Sequence, residues 1–250
     1  MPSELKRILI LGGTLEARKL AELLVEQGKH HVITSFAGRT RQRNTPAGEV
    51  RVGGFGGVEG LCGFIEGEKI DLIADASHPF AARISANAVA AADLAGIPCI
   101  RLDRPRWELT PEDDWRSVSN IEEAADAIPS GAVALVTVGR QEIAPFFARD
   151  DVRIVARMIE SPADEPPSHV ELVLARPPFS LEHERALFSE KNIGVLVAKN
   201  SGGESTAAKL VVARERGLPV IMIDRPVKPA ATASAASLDE LMGQIEDALR

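Results

Sequence analysis

Short apolar, β-branched runs alternate with helical patterns along the chain. Nine runs predict strands: 7–11, 31–35, 50–54, 71–75, 98–102, 132–138, 152–157, 193–199 and 219–224. Their nearly continuous apolarity is typical of strands that are buried on both faces of a parallel sheet. Helical patterns lie between them, such as the alanine-rich residues 80–95, which end at Gly96. The alternation predicts a doubly wound α/β architecture.

Two stretches interrupt this alternation. Residues 103–118 are rich in proline and charge and hold both tryptophans, so we expect them to connect two α/β halves. Residues 161–180 are also proline-rich, and we expect them to lie on the surface or to line a cleft. The segment GLPVIMIDRP (217–226) resembles GIPCIRLDRP (96–105). Either αβ loops simply favour Gly and Pro, or two similar domains end in equivalent strands.

The composition narrows the class of protein. The chain has 45% hydrophobic and 26% charged residues, which is ordinary for a soluble globular protein. Its net charge of -7 disfavours a nucleic-acid partner. The polar N-terminus does not resemble a signal peptide, and no apolar run approaches the roughly 18 residues that span a bilayer. We therefore expect a cytoplasmic protein with no membrane partner.

Counts of single residue types exclude two kinds of chemistry. The chain contains no tyrosine, which excludes the Tyr-x-x-x-Lys pair of short-chain dehydrogenases. Five scattered histidines and two distant cysteines predict no metal site. Cys62 and Cys99 each follow an apolar stretch and are expected to be buried free thiols.

The first predicted strand runs into a glycine turn and then a helix. The turn reads Gly12, Gly13, Thr14, Leu15, Glu16, Ala17, which lacks the full G-x-G-x-x-G fingerprint. Glycines let the backbone approach a phosphate, the helix N-terminus attracts it, and Thr14 can cap the helix. Glu16 would repel a phosphate, so a ribose or amide partner suits it better. The turn is either a nucleotide site or a structural turn.

The end of the second strand decides which nucleotide fits. A fold that prefers NAD carries an acid there. This chain has Ser35, followed by a loop with Arg39, Arg41 and Arg43. Hydroxyl and guanidinium groups suit the 2′-phosphate of NADPH, although a solvated basic loop is the alternative. Gly54, in a glycine-rich strand end, would allow close backbone approach to the same ligand.

Two further loops follow buried strands, where α/β proteins bind ligands. The segment ADASHPFAARIS (74–85) carries Ser77 as a candidate helix cap, Pro79 in the first helical turn, and His78. The segment VAKNSGGESTAAKL (197–210) holds Lys199, Asn200, Ser201 and Gly202 before a helix, a combination that favours an anion. A structural histidine and a capped helix with a solvated lysine are the alternatives.

Four segments together resemble the precorrin-6A reductase family of cobalamin biosynthesis. They are ILILGGTLEARKLA, DLIADASHPFAARISANAVAAADLAGIPCIRLDRPRW, TVGR and AKNSGGESTAAKL. The resemblance implies two Rossmann-like doubly wound parallel-sheet domains with a cleft between them. With the connection at 103–118 as their approximate boundary, they would comprise residues 1–105 and 106–250. The resemblance also implies NADPH-dependent reduction of precorrin-6A to precorrin-6B, with hydride delivered to C19 and a proton to C18.

The resemblance and the residue chemistry together divide the candidate residues between two ligands. NADPH would be held by Gly12, Gly13, Thr14, Glu16, Ala17, Ser35, Arg39, Gly54, Ser77, His78 and Pro79. The carboxylate-rich tetrapyrrole would contact Phe80, Arg83, Arg104, Arg106, Lys199, Asn200, Ser201 and Gly202. Lys199 or His78 would deliver or orient the proton, and a proton from solvent or substrate is the alternative.

Other functions remain open from the residues alone. Another NADP-linked Rossmann enzyme, such as a reductase or a sugar-nucleotide epimerase, would share the first domain. A non-catalytic sensor would bind NADP(H) without turnover. Transient contact with other enzymes of the pathway is also open.

Overall fold

The computed structural model describes residues 5–36 and 46–250. The chain folds into two compact units, Met1–Pro105 with Pro226–Arg250, and Arg106–Arg225. The first unit has strands β1 (Lys6–Leu11), β2 (His30–Phe36), β3 (Glu49–Val52), β4 (Leu72–Asp75), β5 (Cys99–Leu102) and β12 (Ala233–Ala235). Its helices are α1 (Leu15–Gln27), α2 (Val58–Gly67), α3 (Ala82–Ala95) and α8 (Leu238–Ala248).

The first sheet is parallel throughout, in the order β12-β5-β4-β1-β2-β3. Successive side chains of β1 point to opposite faces, as strand geometry requires. Ile8 and Ile10 pack with α1 and α8, while Leu9 and Leu11 pack with α2 and α3. Both faces of the sheet are therefore covered, which explains why residues 8–11 of β1 are apolar without interruption and confirms the doubly wound architecture.

The second unit has strands β6 (Asp114–Val118), β7 (Val133–Val136), β8 (Arg153–Met158), β9 (Val170–Leu174), β10 (Val195–Lys199) and β11 (Pro219–Ile223). Its helices are α4 (Ile121–Asp126), α5 (Ala144–Phe147), α6 (Leu181–Glu190) and α7 (Ala208–Glu215), with a short 3-10 turn at Glu204–Thr206. This sheet is also parallel, in the order β6-β11-β10-β7-β8-β9. Leu187 and Phe188 of α6 and Leu210 of α7 pack on one face of it.

The two sheets share one strand order, in which the outermost strand beyond β5 or β11 comes from a distant part of the chain. In each sheet the winding direction reverses at one point, between β1 and β4 in the first and between β7 and β10 in the second. Open α/β sheets bind ligands at the carboxyl ends of the strands beside such a switch point. In the first sheet, the glycine turn follows β1 and the His78 loop (76–81) follows β4. In the second sheet, the Lys199 loop (199–203) begins at the last residue of β10.

All nine predicted strands are present, but three strands were missed. β6 lies within residues 103–118, which were predicted to be only a connection, and β9 lies within the irregular stretch 161–180. β12 pairs with β5, so residues 226–250 belong with the first unit rather than with a second domain 106–250. The second unit thus ends at Arg225, whereas the second domain was predicted to extend to residue 250, because a short strand adds to the first sheet after the second unit is complete.

Candidate cofactor and substrate sites

The glycine turn has the backbone geometry that a phosphate site needs. Gly13 has φ 112°, a conformation that residues with a Cβ rarely adopt, and a Cβ on Gly12 would lie 2.8 Å from the Phe36 ring. Thr14 caps α1 as predicted, because its hydroxyl accepts from the Ala17 N–H at 3.0 Å. The same hydroxyl donates to the Ala76 carbonyl at 2.8 Å. Thr14 therefore links the two loops of the switch point and leaves the start of α1 able to bind an anion.

Glu16, next to this turn, already has a cationic partner. Its carboxylate forms an ion pair with Arg104, which lies just beyond β5. The pairing neutralises a carboxylate that would otherwise repel a phosphate at the helix start. Ala17 is fully buried under the turn. Arg104, a predicted substrate ligand, is thus placed beside the predicted cofactor turn.

The end of β2 is joined to the glycine turn through the backbone, and it also contacts an arginine that sequence reasoning missed. Gly12 N–H donates to the Ser35 carbonyl at 2.9 Å, and Ser35 is buried. Ser35 is the register partner of Arg51 on β3, whose guanidinium lies 3.4 Å from the Ser35 hydroxyl. Arg51 also donates to the carbonyl of Gly54, a predicted cofactor residue. Arg39 lies outside the described residues.

Asp75, the last residue of β4, fixes the conformation of the loop that follows. Its carboxylate accepts from the Ser77 hydroxyl at 2.6 Å and from the Ser77 N–H at 3.2 Å. Ser77 therefore does not cap α3, which begins only at Ala82; that interpretation was wrong. The other carboxylate oxygen of Asp75 accepts from Arg101 Nε at 3.2 Å, and both side chains are more than 90% buried. Sequence reasoning missed this pair.

Arg101 also contacts the C-terminal segment, residues 226–250, which belongs to the first unit. Its Nη1 donates to the Pro229 carbonyl at 2.8 Å, and its buried Nη2 has no hydrogen-bond partner among the described residues. A buried ion pair is costly to desolvate, so two apolar residues could fill this space at no loss of stability. The pair instead holds Ser77 at the carboxyl end of β4, beside the glycine turn.

The remaining residues of this loop differ in exposure. His78 is exposed and Pro79 is buried, while Phe80 is half-buried with its ring 5.9 Å from the His78 ring. His78 Nδ1 lies 3.3 Å from the Phe80 N–H, from which it can accept. Arg83 is exposed on the first turn of α3. His78, Phe80 and Arg83 thus follow one another around the start of a helix.

The switch point of the second sheet is occupied by a lysine and a carboxylate. Lys199, the last residue of β10, forms an ion pair with Glu142, in the loop after β7. The side chain of Lys199 is only 11% exposed, and burial lowers its pKa to about 8. The Glu142 carboxylate favours the charged form and opposes that decrease. Near neutral pH this ammonium is charged yet loses its proton readily.

The loop after Lys199 is held by two residues from the ends of the second unit. Trp107 N–H donates to the Asn200 side-chain oxygen at 2.9 Å, and the Asn200 amide donates back to the Trp107 carbonyl at 3.1 Å. Arg225 donates to the carbonyls of Asn200 and Ser201 at 2.8 and 3.0 Å. Gly202 has φ 65°. The Asn200 side chain is therefore a structural clamp for the loop, although it was predicted to contact substrate.

A buried charged cluster lies beside this loop. Arg157 and Glu184 form an ion pair at 2.7 Å that is almost fully buried, and the second Glu184 oxygen has no partner among the described residues. Lys209 donates to the Thr206 carbonyl at 2.6 Å, and its ammonium lies 4.5 Å from the Trp107 ring centroid. Burial, with the Arg157 charge, lowers the pKa of Lys209 to about 7. The side chain of Lys209 is buried.

Lys209 should make the stability of the protein rise with pH. Its pKa is near 7 in the folded protein and near its ordinary 10.5 when unfolded, so the unfolded chain binds more protons between these values. From pH 7 to 9, the free energy of unfolding of the wild type should increase by about 2 kcal/mol more than that of Lys209→Met. Urea denaturation at both pH values measures this. Equal changes in the two proteins would show that the pKa of Lys209 is not lowered in the folded protein.

Two classes of site were not found in the described part of the chain. Across residues 5–36 and 46–250, no three His, Cys, Asp or Glu side chains form a group that could hold a metal ion. None of the helices in those ranges is both long and apolar enough to span a membrane.

Comparison with known proteins agrees with the geometry. The model of the precorrin-6x reductase CbiJ/CobK family matches residues 7–246. A precorrin-6A reductase from Rhodococcus erythropolis is 44% identical over 240 residues, 96% of each chain. One from a Sinorhizobium species is 42% identical over 97% of this chain and 93% of its own. A solved structure titled CobK precorrin-6A reductase covers 97% of each chain at 38% identity, with a TM-score of 0.92. The resemblance is confirmed: the chain belongs to the precorrin-6x reductase CbiJ/CobK family.

Proposed function

We propose that this protein reduces precorrin-6A to precorrin-6B with NADPH, delivering a hydride to C19 and a proton to C18 of the macrocycle. The family match across residues 7–246 supports the reductase reaction. NADPH is supported by the end of β2, where buried Ser35 and its register partner Arg51 stand in place of the acid of a NAD-preferring fold.

The residues at the switch point of the first sheet fit a dinucleotide. The positive φ of Gly13, the close packing of Gly12 on Phe36 and the capped start of α1 together form a cradle for a pyrophosphate. The Glu16–Arg104 ion pair keeps a negative charge from facing it. The Asp75–Ser77 contacts fix the loop that carries His78 and Pro79 beside the nicotinamide. NADPH supplies the hydride when bound, and these residues supply its orientation.

The loops of the second sheet's switch point are assigned to the tetrapyrrole. Carboxylate side chains of the substrate need cations and N–H donors, and Lys199 lies at a strand end with the N–H group of Gly202 after it. Trp107 and Arg225 clamp this loop, so it presents these donors in one conformation. Arg83 and Arg106, both exposed, are the further candidates for carboxylates.

We assign the proton to Lys199 rather than to His78. A general acid works best when its pKa lies close to the working pH, and burial brings the pKa of Lys199 to about 8. His78 is exposed and accepts from the Phe80 N–H, which suits a residue that shapes the nicotinamide turn. Glu142 keeps the Lys199 ammonium protonated until it is used.

Turnover distinguishes the reductase from a sensor that binds NADPH without chemistry. Mixed with NADPH and precorrin-6A, the protein should cause loss of the near-ultraviolet absorbance of the reduced nicotinamide, in step with formation of precorrin-6B. Binding of NADPH without its oxidation would instead support the sensor.

Arg39→Ala should raise the KM for NADPH far more than the KM for NADH. A charge-assisted hydrogen bond to phosphate contributes about 1.5–3 kcal/mol, or roughly 10-fold to 100-fold in affinity. NADH lacks the phosphate and therefore cannot lose this contact. Steady-state kinetics with both nucleotides measures the two changes, and equal small effects would remove Arg39 from the phosphate site.

A further inference from the structure

Arg51 has the position of a residue that reads the ribose of the nucleotide. It lies on β3 directly across from Ser35 at the end of β2, and the ribose 2′ substituent of a dinucleotide is bound at that strand end. Its guanidinium and the Ser35 hydroxyl are 3.4 Å apart, so the two side chains point to the same side of the sheet. The sequence pattern gave Arg51 no role, because it lies within a strand rather than in the arginine-rich loop.

Contacts on three sides hold the Arg51 guanidinium in place. Nη1 donates to the Gly53 carbonyl at 2.6 Å, and Nη2 donates to the Gly54 carbonyl at 3.0 Å. The guanidinium carbon lies 3.9 Å from the centroid of the Phe55 ring. A planar guanidinium stacks well on an aromatic face and loses little further freedom when it binds a ligand.

The hydrogen-bond count leaves donors for a ligand. A guanidinium has five N–H groups, and Arg51 gives three of them to Gly53, Gly54 and Ser35. The Nε–H and one N–H of Nη2 have no hydrogen-bond partner among residues 5–36 and 46–250. Adjacent Nε and Nη2 donors bind a phosphate with two parallel hydrogen bonds.

We propose that Arg51 is a specificity-determining residue of the nucleotide site, and that its Nε and Nη2 donors bind the 2′-phosphate of NADPH together with the Ser35 hydroxyl. The inference rests on the proposed use of NADPH and adds to it a residue that acts independently of Arg39. A purely structural Arg51 would affect stability alone, whereas a phosphate-binding Arg51 affects the choice between two nucleotides.

Two small nucleotides test this without any turnover. The probes are 2′,5′-ADP and 5′-AMP, which differ by the 2′-phosphate, and calorimetry gives both affinities for the full-length protein. The wild type should bind 2′,5′-ADP more tightly. Arg51→Gln should lose about 10-fold to 100-fold of that preference, while its affinity for 5′-AMP changes little. Arg51→Lys keeps the charge but lacks the paired N–H donors of the guanidinium, so it should lose an intermediate part of the preference for 2′,5′-ADP.

Arg7→Gln is the matched control. Arg7 is also a half-buried arginine on a strand of the first unit, and it pairs with Glu68 at the opposite, amino end of β1. The Arg7→Gln variant should prefer 2′,5′-ADP over 5′-AMP as strongly as the wild type does. If Arg51→Gln, or Arg51→Lys where the glutamine variant does not fold, keeps the wild-type preference, the role of Arg51 is overturned. If the wild type itself binds the two nucleotides equally, the proposed use of NADPH is contradicted, and the role of Arg51 with it.

Discussion

Lys199→Met should lower kcat for precorrin-6A reduction by about 10²-fold to 10⁴-fold, the usual contribution of a positioned general acid. The methionine keeps the length and packing of the side chain but has no proton to give. Wild-type activity should also fall as the pH rises past about 8, because the lysine is then deprotonated, and the variant should lack this decrease. Binding of 2′,5′-ADP by the variant should remain at the wild-type value, since the nucleotide is assigned to the other unit.

A second variant, Glu142→Gln, tests whether the pH dependence comes from Lys199. It leaves the lysine in place but removes the carboxylate that favours its charged form, so the decrease in activity should move to lower pH. A methionine variant with kcat within a few-fold of the wild type and an unchanged pH profile would show that the proton comes from elsewhere, with His78 or solvent as the next candidates.

Arg101→Ala should destabilise the protein by about 3–5 kcal/mol, because it leaves the Asp75 carboxylate buried without its cation. The two side chains are only 7% and 1% exposed, so water cannot replace the missing partner. The His78 loop, which contains Ser77, should also lose its fixed conformation, and the affinity for NADPH should decrease as a result. Urea denaturation gives the first quantity and calorimetry with NADPH gives the second.

Two further variants isolate the cause. Lys6→Ala removes an exposed ion pair with Asp71 in the same unit, and it should cost about 1 kcal/mol or less. The double variant Asp75→Asn with Arg101→Met leaves no net charge buried and keeps an oxygen for Ser77, so it should be more stable than Arg101→Ala. If Arg101→Ala costs no more than Lys6→Ala, the buried pair does not hold the loop.

The fold was predictable where burial dictates the residue type. Strands such as β1 and β10 are enclosed on both faces, and their apolar runs follow from that. β6 is an outer strand with mostly exposed residues, and β12 has three residues, so neither carries an apolar pattern. Residues 226–250 return to the first sheet because β12 pairs with β5, and no local sequence pattern reveals this pairing.

The candidate sites were predictable where a loop follows a strand, and not where residues pair across the sheet. Gly13, Thr14 and Lys199 lie at strand ends that the sequence marks directly. Asp75 and Arg101 are 26 residues apart and meet only through the register of β4 and β5. One signal did exist, because a charged residue inside an apolar strand, as in CIRL, is rarely buried unless it is paired.

Isotope transfer from the cofactor tests the central claim most directly. NADPH that carries deuterium at both C4 positions should yield precorrin-6B with one deuterium, located at C19 by NMR. Unlabelled NADPH in deuterated water should place deuterium at C18 instead. A product without deuterium from the labelled cofactor, or with it at another carbon, would contradict the proposed hydride transfer to C19.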